Sequence, residues 1–412
     1  MPLVSELLPL VARAIHASNA LLEWLMTYAI HSTILIGGLL LFTSTTAGRR
    51  LVAGHGSWLW RFALVGGLVT ASIQSIRSTE PLTGTLRLDG DEPARTMVRI
   101  EMNHQSVAPA PVTRVSRREV TSASIDVNPK WPLLALVTWF VAAAAMLAWF
   151  LVARARFLRA IGPRANAAHT LAGNSLRHLL RSGRVERPVR LTRSDCLTSP
   201  IALGDDEICL PSRALSELDP IRMESIIAHE LAHLVRRDPS WLTSARVIEA
   251  IFFFQPLNIL ARRRMQESAE FASDAWASAR VARPLDLAHC LARVAEWTFA
   301  ARRLPVPAMA EGQGPGRRGA VLVRRVERLT TGQVIPERTP GRSLRLSAAF
   351  ALVGLILFAP RAAIGADTPA GRFFGARLHG PATRILMLHR NDVKQPGAER
   401  RDEMVVLMTR RQ

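Results

Sequence analysis

Four long apolar runs interrupt an otherwise polar chain, and each approaches the length that a helix needs to cross a bilayer, about 20 residues. They lie at 24–43, 58–76, 131–153 and 344–364. The third is the clearest, because it contains the stretch AAAAM and has Trp131, Trp139 and Trp149 along its length. The fourth is the weakest, because its charge-free core, Leu346–Ala359, is also short enough for a buried helix. We therefore predict a mainly α-helical membrane protein with four transmembrane helices.

Arginines beside these runs predict their orientation. Two follow the first run, four follow the third and five precede the fourth: Arg49, Arg50, Arg154, Arg156, Arg159, Arg164, Arg324, Arg325, Arg328, Arg338 and Arg342. Cytoplasmic loops carry such an excess of basic residues, so we expect 154–343 in the cytoplasm and both termini outside. Residues 1–76 would carry the first two spans, 77–130 a flexible external loop, and 365–412 a short external tail. No basic region precedes the first run, which argues against a cleaved signal peptide.

Charge and cysteine content narrow the class of protein. The formal net charge is +20, and Lys130 and Lys394 are the only lysines. Nucleic-acid binding is the weaker explanation of this charge, because the arginines are scattered and form no basic groove interleaved with aromatic residues. We expect the lipid bilayer as a partner and no direct contact with nucleic acid. The three cysteines contain no CxxC pair, which argues against a disulfide framework and against a thiolate zinc site.

The 154–343 segment is long enough for a folded domain. Val189 and Leu191 alternate with charged neighbours, which predicts a half-buried strand. Residues 201–203 and 208–210 flank a Gly-Asp-Asp turn, which predicts a hairpin. After Pro220 the apolar residues recur at helical spacing, and further helices follow. The segment is predicted to be α+β and mostly helical.

The sequence His229-Glu230-Leu231-Ala232-His233 carries the clearest chemistry. Histidines four residues apart on a helix share one face, so both can reach a single Zn²⁺ ion at about 2.0–2.1 Å. Glu230 follows the first histidine, where it can accept a proton from the attacking water. The competing interpretation, two histidines on a solvated helix face, is weakened by the apolar character of this helix.

A third ligand should come from a second helix, and the stretch QESAEFASDAW offers Glu267, Glu270 and Asp274. Glu270 and Asp274 are four residues apart and share a face. We predict that Glu270 binds the metal and that Asp274 orients one of the histidines through its imidazole N–H. Glu267 has a simpler role available, an ion pair with Arg263 or Arg264 on the same helix.

Three stretches together resemble the M56 peptidase family of antirepressor-type membrane peptidases: SPIALGDDEICLPSRAL, AHELAHLVRRD and FFFQPLNILARRRMQESAEFASDAWA. The resemblance covers about 190–280, and the family's H-E-x-x-H and E-x-x-x-D match His229, Glu230, His233, Glu270 and Asp274. It implies a gluzincin-like fold and a zinc site on the cytoplasmic side of a bacterial inner membrane. It also implies that an external signal triggers cleavage of a small DNA-binding repressor, of the chain itself, or of both.

The chain departs from the β-lactam sensors of that family in one respect. The stretch after Pro360 is too short for an external penicillin-binding domain, and Lys394 has no serine three residues before it. We therefore expect no direct acylation by a β-lactam, and the inducing signal stays open.

Two further parts of the mechanism can be assigned to residues. Segment 198–203 is the candidate edge strand for an extended substrate, because Pro200 is tolerated only at a sheet edge. The oxyanion needs a donor, and Tyr28, the only tyrosine, lies in the first apolar run. His289 or an arginine must then serve, although an ordinary helix residue is the favoured interpretation of His289.

Three alternatives to a signalling protease stay open. A constitutive quality-control protease would share the zinc site but cleave many substrates without an inducer. A receptor or scaffold stabilised by zinc would not need Glu230. A membrane-tethered DNA-binding regulator lacks any recognisable motif here. The sequence also leaves open whether the protein forms a homo-oligomer.

Overall fold

The computed structural model describes residues 2–77, 81–82, 84–87, 96–101, 131–281, 284–301, 315–364 and 403–408. The helices in this part of the chain are α1 (Pro2–Ser44), α2 (Thr46–Arg77), α3 (Trp131–Ala160), α4 (Leu171–Ser182), α5 (Ser212–Glu217), α6 (Pro220–Val235), α7 (Asp238–Ile251), α8 (Leu257–Ser278), α9 (Pro284–Ala301), α10 (Pro315–Thr330) and α11 (Arg342–Phe358). The strands are β1 (Thr85–Arg87), β2 (Thr96–Glu101), β3 (Ala165–Asn166), β4 (Arg190–Ser194), β5 (Ile201–Leu203), β6 (Glu207–Pro211), β7 (Arg361–Ala363) and β8 (Glu403–Met408). The predicted mainly helical class is therefore confirmed.

The chain divides into two compact units, the first formed by Met1–Glu23, Thr85–Leu133 and Ala362–Gln412, the second by Trp24–Gly84 and Leu134–Arg361. In the first unit, β2 pairs antiparallel with β8, so that Thr96 lies opposite Met408. These two strands fall within the segments predicted to be a flexible loop and a tail. Most of the 77–130 loop and of the 365–412 tail lies outside the described residues.

Three helices in the described part of the chain are long and apolar enough to cross a membrane, namely Ala17–Ser44, Thr46–Ile76 and Pro132–Ala160. They correspond to the first three predicted spans. The fourth predicted span differs from the structure, because α11 has 17 residues and ends at Phe358. Pro360 cannot continue a helix, and β7 follows it. The helix is thus shorter than the predicted 344–364 run.

In the second unit, α1 and α2 form a helical hairpin with close backbone contact. A Cβ atom added to Gly67 would lie 2.9 Å from the Cα atom of Ser32, so glycine is what allows this approach. Near the same level, His31 Nδ1 lies 2.9 Å from Thr70 Oγ1. His31 thus contributes a polar contact between the two helices.

A four-stranded sheet in the second unit has the order β3-β4-β6-β5. β4 runs parallel to β6, whereas β5 pairs antiparallel with β6 and forms the edge of the sheet. Gly204, with φ +59°, makes the turn of the β5–β6 hairpin, which confirms the predicted hairpin. Helix α6 covers the sheet through one buried apolar cluster, whose members include Leu191, Ile208, Leu210, Ile227 and Leu231.

Helices α7 and α8 form a hairpin whose tip lies against two of the candidate spans. Tyr28 on α1 donates a hydrogen bond to Asn258 Oδ1 at 3.1 Å, and Gln255 donates one to Ser32 Oγ at 2.8 Å. Trp139 on α3 donates one to the Ile251 carbonyl at 2.9 Å. Part of the segment expected to form a cytoplasmic domain is therefore packed directly on the candidate membrane helices.

The α1–α2 contact generates a prediction about stability. Substitution of Gly67 by alanine should destabilise the detergent-solubilised protein by about 1–3 kcal/mol, because the new methyl group meets helix backbone that cannot move aside. Gly38→Ala is the matched control, since a Cβ atom there meets nothing within 4 Å. Thermal unfolding midpoints of the two variants measure the difference. Equal midpoints would show that α1 and α2 do not pack as described.

Candidate metal centre

Helix α6 brings the histidine motif to the site. Asp219 caps its N-terminus by accepting a hydrogen bond from the Arg222 backbone N–H at 2.9 Å, and Pro220 occupies the first turn, as in many helix starts. The helix buries its apolar face against the sheet, which fixes its rotation. His229, Glu230 and His233 then lie along one cleft.

The two histidines meet Glu270 of α8 in a compact group. His229 Nε2 and His233 Nε2 are 3.2 Å apart. Glu270 Oε2 lies 3.6 Å from His229 Nε2, and Glu270 Oε1 lies 3.9 Å from His233 Nε2. These three residues, predicted as metal ligands, are the group in the described part of the chain whose atoms could hold one metal ion.

A carboxylate lies close to the Nδ1 atom of each histidine. Asp274 Oδ1 lies 3.0 Å from His229 Nδ1, although off the hydrogen-bonding direction, and Asp238 Oδ2 lies 2.9 Å from His233 Nδ1. Such carboxylates favour the tautomer with the proton on Nδ1. Both Nε2 lone pairs are then directed toward the shared space, where a cation can accept them.

This donor set fits a zinc ion. Two imidazole nitrogens and one carboxylate form a common catalytic zinc site, and ligand atoms at 2.0–2.1 Å from a tetrahedral ion are about 3.3 Å from one another. The separations of 3.2–3.9 Å in the structure are near that value. A small inward movement of Glu270 would close the remaining difference.

Arg325 of α10 completes the group from a distant part of the sequence. Its guanidinium makes a bidentate contact with Asp274, with both N···O distances 2.7 Å, and lies 2.8 Å from Glu270 Oε2. Its Nη2 is 3.3 Å from His229 Nε2. Arg325 is buried, so its charge acts on the site with little screening by water.

Charges around the group set its protonation. Burial raises the pKa of Glu270 and of Asp274, but Arg325 and His229 outweigh burial and hold both pKa values below the usual range. Burial lowers the pKa of His229, but Asp274 and Glu270 outweigh it and raise that pKa to about 9. The carboxylates therefore stay ionised at neutral pH, while a proton and a metal ion compete for His229.

Two residues considered in the sequence analysis, His289 and Glu267, lie outside the group of candidate metal ligands. His289 is exposed on α9 and is not among the residues that line the cleft. Glu267 pairs with Arg264 at 3.2 Å and with Arg324 at 2.7 Å, so the simpler role expected for it is confirmed. The sequence interpretation had not assigned Asp238 to a histidine; its position five residues after His233 was the available signal.

The site opens into a cleft of about 720 Å³. One wall is the segment that includes Pro200 and the edge strand β5, and another is the end of α3. Glu230 lies in this cleft and is 8% exposed. One cleft thus contains the three candidate metal ligands, the buried carboxylate of Glu230 and the outer edge of β5.

A family model described as BlaR1 peptidase M56 matches residues 24–284, which is more than half of the 412-residue chain. The match begins at Trp24 within α1 and ends at Pro284, the first residue of α9, so it includes both histidines, Glu230 and Glu270. No curated protein matches the chain.

The carboxylates behind the histidines generate a prediction about metal affinity. Asp238→Asn and Asp274→Asn should each weaken zinc binding by about 10–100-fold, because a carboxamide orients the imidazole less firmly than a carboxylate. Competition with a chromophoric chelator measures the affinity. The matched control is Asp206→Asn, an exposed aspartate whose side chain contacts Arg190. Unchanged affinity in both variants would contradict the proposed orientation of the rings.

Proposed function

The chain belongs to the M56 peptidase family, and on this premise we propose that it is a zinc-dependent endopeptidase of a bacterial inner membrane. The observation that carries the proposal is the convergence of His229, His233 and Glu270 beside the buried carboxylate of Glu230. The excess of arginine at the ends of the predicted spans supports a cytoplasmic position for the site. The substrate would be a protein.

Each side chain at the centre has a distinct proposed role. His229, His233 and Glu270 would hold a Zn²⁺ ion, which when bound would supply a Lewis acid and lower the pKa of the attacking water. Glu230 accepts the proton of that water and delivers it to the leaving amine. Asp274 and Asp238 keep the histidine rings in place, as their 3.0 and 2.9 Å contacts with the Nδ1 atoms support.

Arg325 is the proposed donor to the oxyanion. Its guanidinium is held rigidly by Asp274 and Glu270 and reaches to 3.3 Å from His229 Nε2. A fixed donor at this position can stabilise the negative charge that develops on the scissile carbonyl oxygen. The exposure of His289 removes the support for that residue in the same role.

The substrate backbone is proposed to pair with β5. Within the four-stranded sheet this strand pairs with β6 on one side, and its residues Ile201–Leu203 line the cleft. Addition of an extended peptide to a sheet edge supplies main-chain hydrogen bonds independent of sequence. The scissile bond would then lie across the cleft from Glu230.

The proposal has a second, more specific part, a role in signalling, which follows from the family resemblance. An external signal would activate cleavage of a cytoplasmic transcriptional repressor, of the chain itself, or of both. A constitutive quality-control protease is the second candidate, favoured by the wide cleft of about 720 Å³. A non-catalytic receptor or scaffold stabilised by zinc is the third, and it would function without Glu230.

Comparison of new protein N-termini tests the enzymatic proposal. Cells that express the wild type should contain cleavage products absent from cells that express Glu230→Gln, because the carboxamide cannot accept the proton of the attacking water. Both proteins should bind zinc equally, since Glu230 is not a ligand. One dominant product would identify a dedicated substrate, and many would indicate quality control. Identical N-termini, with and without candidate inducers, would favour the scaffold.

The role of Arg325 generates a kinetic prediction. On a peptide that spans a mapped cleavage site, Arg325→Gln should lower kcat by about 10²–10³-fold at saturating zinc, because an oxyanion donor is lost. Arg324→Gln is the matched control, since the neighbouring side chain contacts Glu267 and not the ligand group. A rise in KM with unchanged kcat would assign Arg325 to substrate binding instead.

A further inference from the structure

A second cavity lies on a different face of α8 from the candidate metal centre. Its volume is about 490 Å³, which is within the range of small-molecule sites. Its walls are the start of α2, the middle of α8, the end of α10 and the segment that follows α10. It shares no lining residue with the cleft that contains Glu230. The proposed peptidase chemistry therefore makes no use of this cavity.

The shape of the second cavity is fixed by a kink in α2. At His55 the backbone leaves helical geometry, with φ −143° and ψ 19°, so that α2 consists of two helical pieces. Two consecutive residues after α10 hold the kink. The backbone N–H of Arg338 donates to the Gly54 carbonyl at 2.8 Å, and Glu337 accepts from the backbone N–H of Ser57 at 2.9 Å. The wall after α10 is thus bonded to both sides of the kink.

This cavity lies where the apolar runs of α1 and α2 meet the aqueous phase. Thr43, the last residue of the first apolar run, lines it, and so does Trp60, which precedes Arg61. Arg61 is the last charged residue before the charge-free stretch 62–76. Both helices are long and apolar enough to cross a membrane. Because lipid headgroups lie just outside the hydrocarbon core, the cavity is at their level.

Positive charge exceeds negative charge around the cavity. Four arginines line it, namely Arg49, Arg264, Arg324 and Arg328. Three glutamates line it as well. Glu267 is shared by two arginines, with N···O distances of 3.2 and 2.7 Å, and Glu337 is compensated from outside the cavity by Arg236. The third, Glu327, is exposed to solvent.

Two of these arginines, Arg49 and Arg328, form no ion pair within the part of the chain that the structure describes. Arg49 donates to the Ser44 carbonyl at 2.6 Å, which holds it at the α2 wall. The guanidinium of Arg328 lies over the ring of Phe271 at 4.1 Å, which holds it at the opposite wall. Guanidinium groups bind phosphate oxygens through several N–H donors at once. Two such groups therefore remain available to an anion in the cavity.

We propose that this cavity binds the phosphate group of an anionic phospholipid, with Arg49 and Arg328 as donors from opposite walls. Basic pockets at the ends of membrane helices recognise such headgroups. The apolar side chains of Val52 and Trp60 form another part of the lining, where the glycerol backbone and the start of an acyl chain can pack. A free phosphate compound would use the same donors but would leave this apolar wall uncovered.

A lipid in the cavity would connect the membrane to α10. Arg324 and Arg328 line the cavity, and Arg325, one position along the same helix, contacts Glu270 and Asp274. The bound headgroup would therefore hold in place the helix that carries the proposed oxyanion donor. The inference goes beyond the proposed peptidase function and does not require it, because lipid binding can be measured without a substrate.

Lipid titration of the full-length protein tests the inference. The protein in a neutral detergent is titrated with phosphatidylglycerol, and native mass spectrometry counts the bound lipid molecules. Phosphatidylcholine of the same chain length tests the need for net negative charge, and glycerol phosphate tests the phosphate group without acyl chains. Arg49→Gln and Arg328→Gln are compared with Arg50→Gln. This matched control removes the same charge from an exposed neighbour that does not line the cavity.

The expected result is one phosphatidylglycerol molecule bound at least about tenfold more tightly than phosphatidylcholine. Arg49→Gln and Arg328→Gln should each weaken that binding about tenfold, because a charge-assisted hydrogen bond is lost. Arg50→Gln should change it by less than about twofold. An equal loss in Arg50→Gln, or equal binding of phosphatidylcholine, would overturn the inference. Glycerol phosphate that binds as tightly as phosphatidylglycerol would assign the cavity to a free phosphate compound and overturn the lipid as its occupant.

Hydrogen exchange of the wild type locates the bound lipid without depending on the folding of any variant. Phosphatidylglycerol should slow amide exchange several-fold in 46–56 and in 319–330, the two walls that carry Arg49 and Arg328. Exchange in α4, which does not line the cavity, should stay unchanged. Protection confined to other helices, with none in 46–56 and 319–330, would contradict the assigned site.

Discussion

Buried negative charge is the constraint on which this structure depends. The buried carboxylates of Asp274 and Asp238 and the partly exposed carboxylate of Glu270 surround two imidazole rings, and an unpaired buried carboxylate is strongly destabilising. Arg325 compensates the first two at 2.7–2.8 Å, and Arg61 and Arg236 compensate the third at 2.5 and 3.2 Å. These arginines come from α10, from α2 and from the end of α6. The need to compensate these carboxylates therefore holds α2, a candidate membrane helix, and α10 against the candidate metal centre.

The local parts of this arrangement could be predicted from the sequence. The four-residue spacing placed both histidines on one face of α6, and the same spacing placed Glu270 and Asp274 together on α8. The contacts of Arg325 and the pairing of Asp238 with Arg61 could not be predicted, because they depend on how helices pack. Arg325 lies 51 residues from Asp274 and is one arginine among many. His289 was proposed for its chemistry alone, while the buried neighbours Leu287, Cys290 and Leu291 turn the opposite face of α9 inward.

The individual elements of the fold could also be predicted from the sequence, whereas the packing of one helical hairpin could not. Three apolar runs correspond to helices long enough to span a membrane, and the turn at Gly204 located the β5–β6 hairpin. The position of the α7–α8 hairpin was not predicted, because its charged residues indicated a cytoplasmic segment. In the structure Glu249 pairs with Arg262 at 2.6 Å and with Arg246 at 3.2 Å. Glu249 thus compensates the buried charge of Arg262, while Arg246 stays partly exposed, so the hairpin can lie beside the apolar helices α1 and α3.

The contact between Arg61 and Asp238 has a thermodynamic consequence. A movement of α2 that separates the two side chains would leave Asp238 less firmly placed beside His233, and the affinity of the proposed site for a metal ion would fall. Linkage between two equilibria is reciprocal, so a metal ion bound there would stabilise the position of α2 by the same free energy. Removal of the metal and displacement of α2 would then act on one and the same equilibrium.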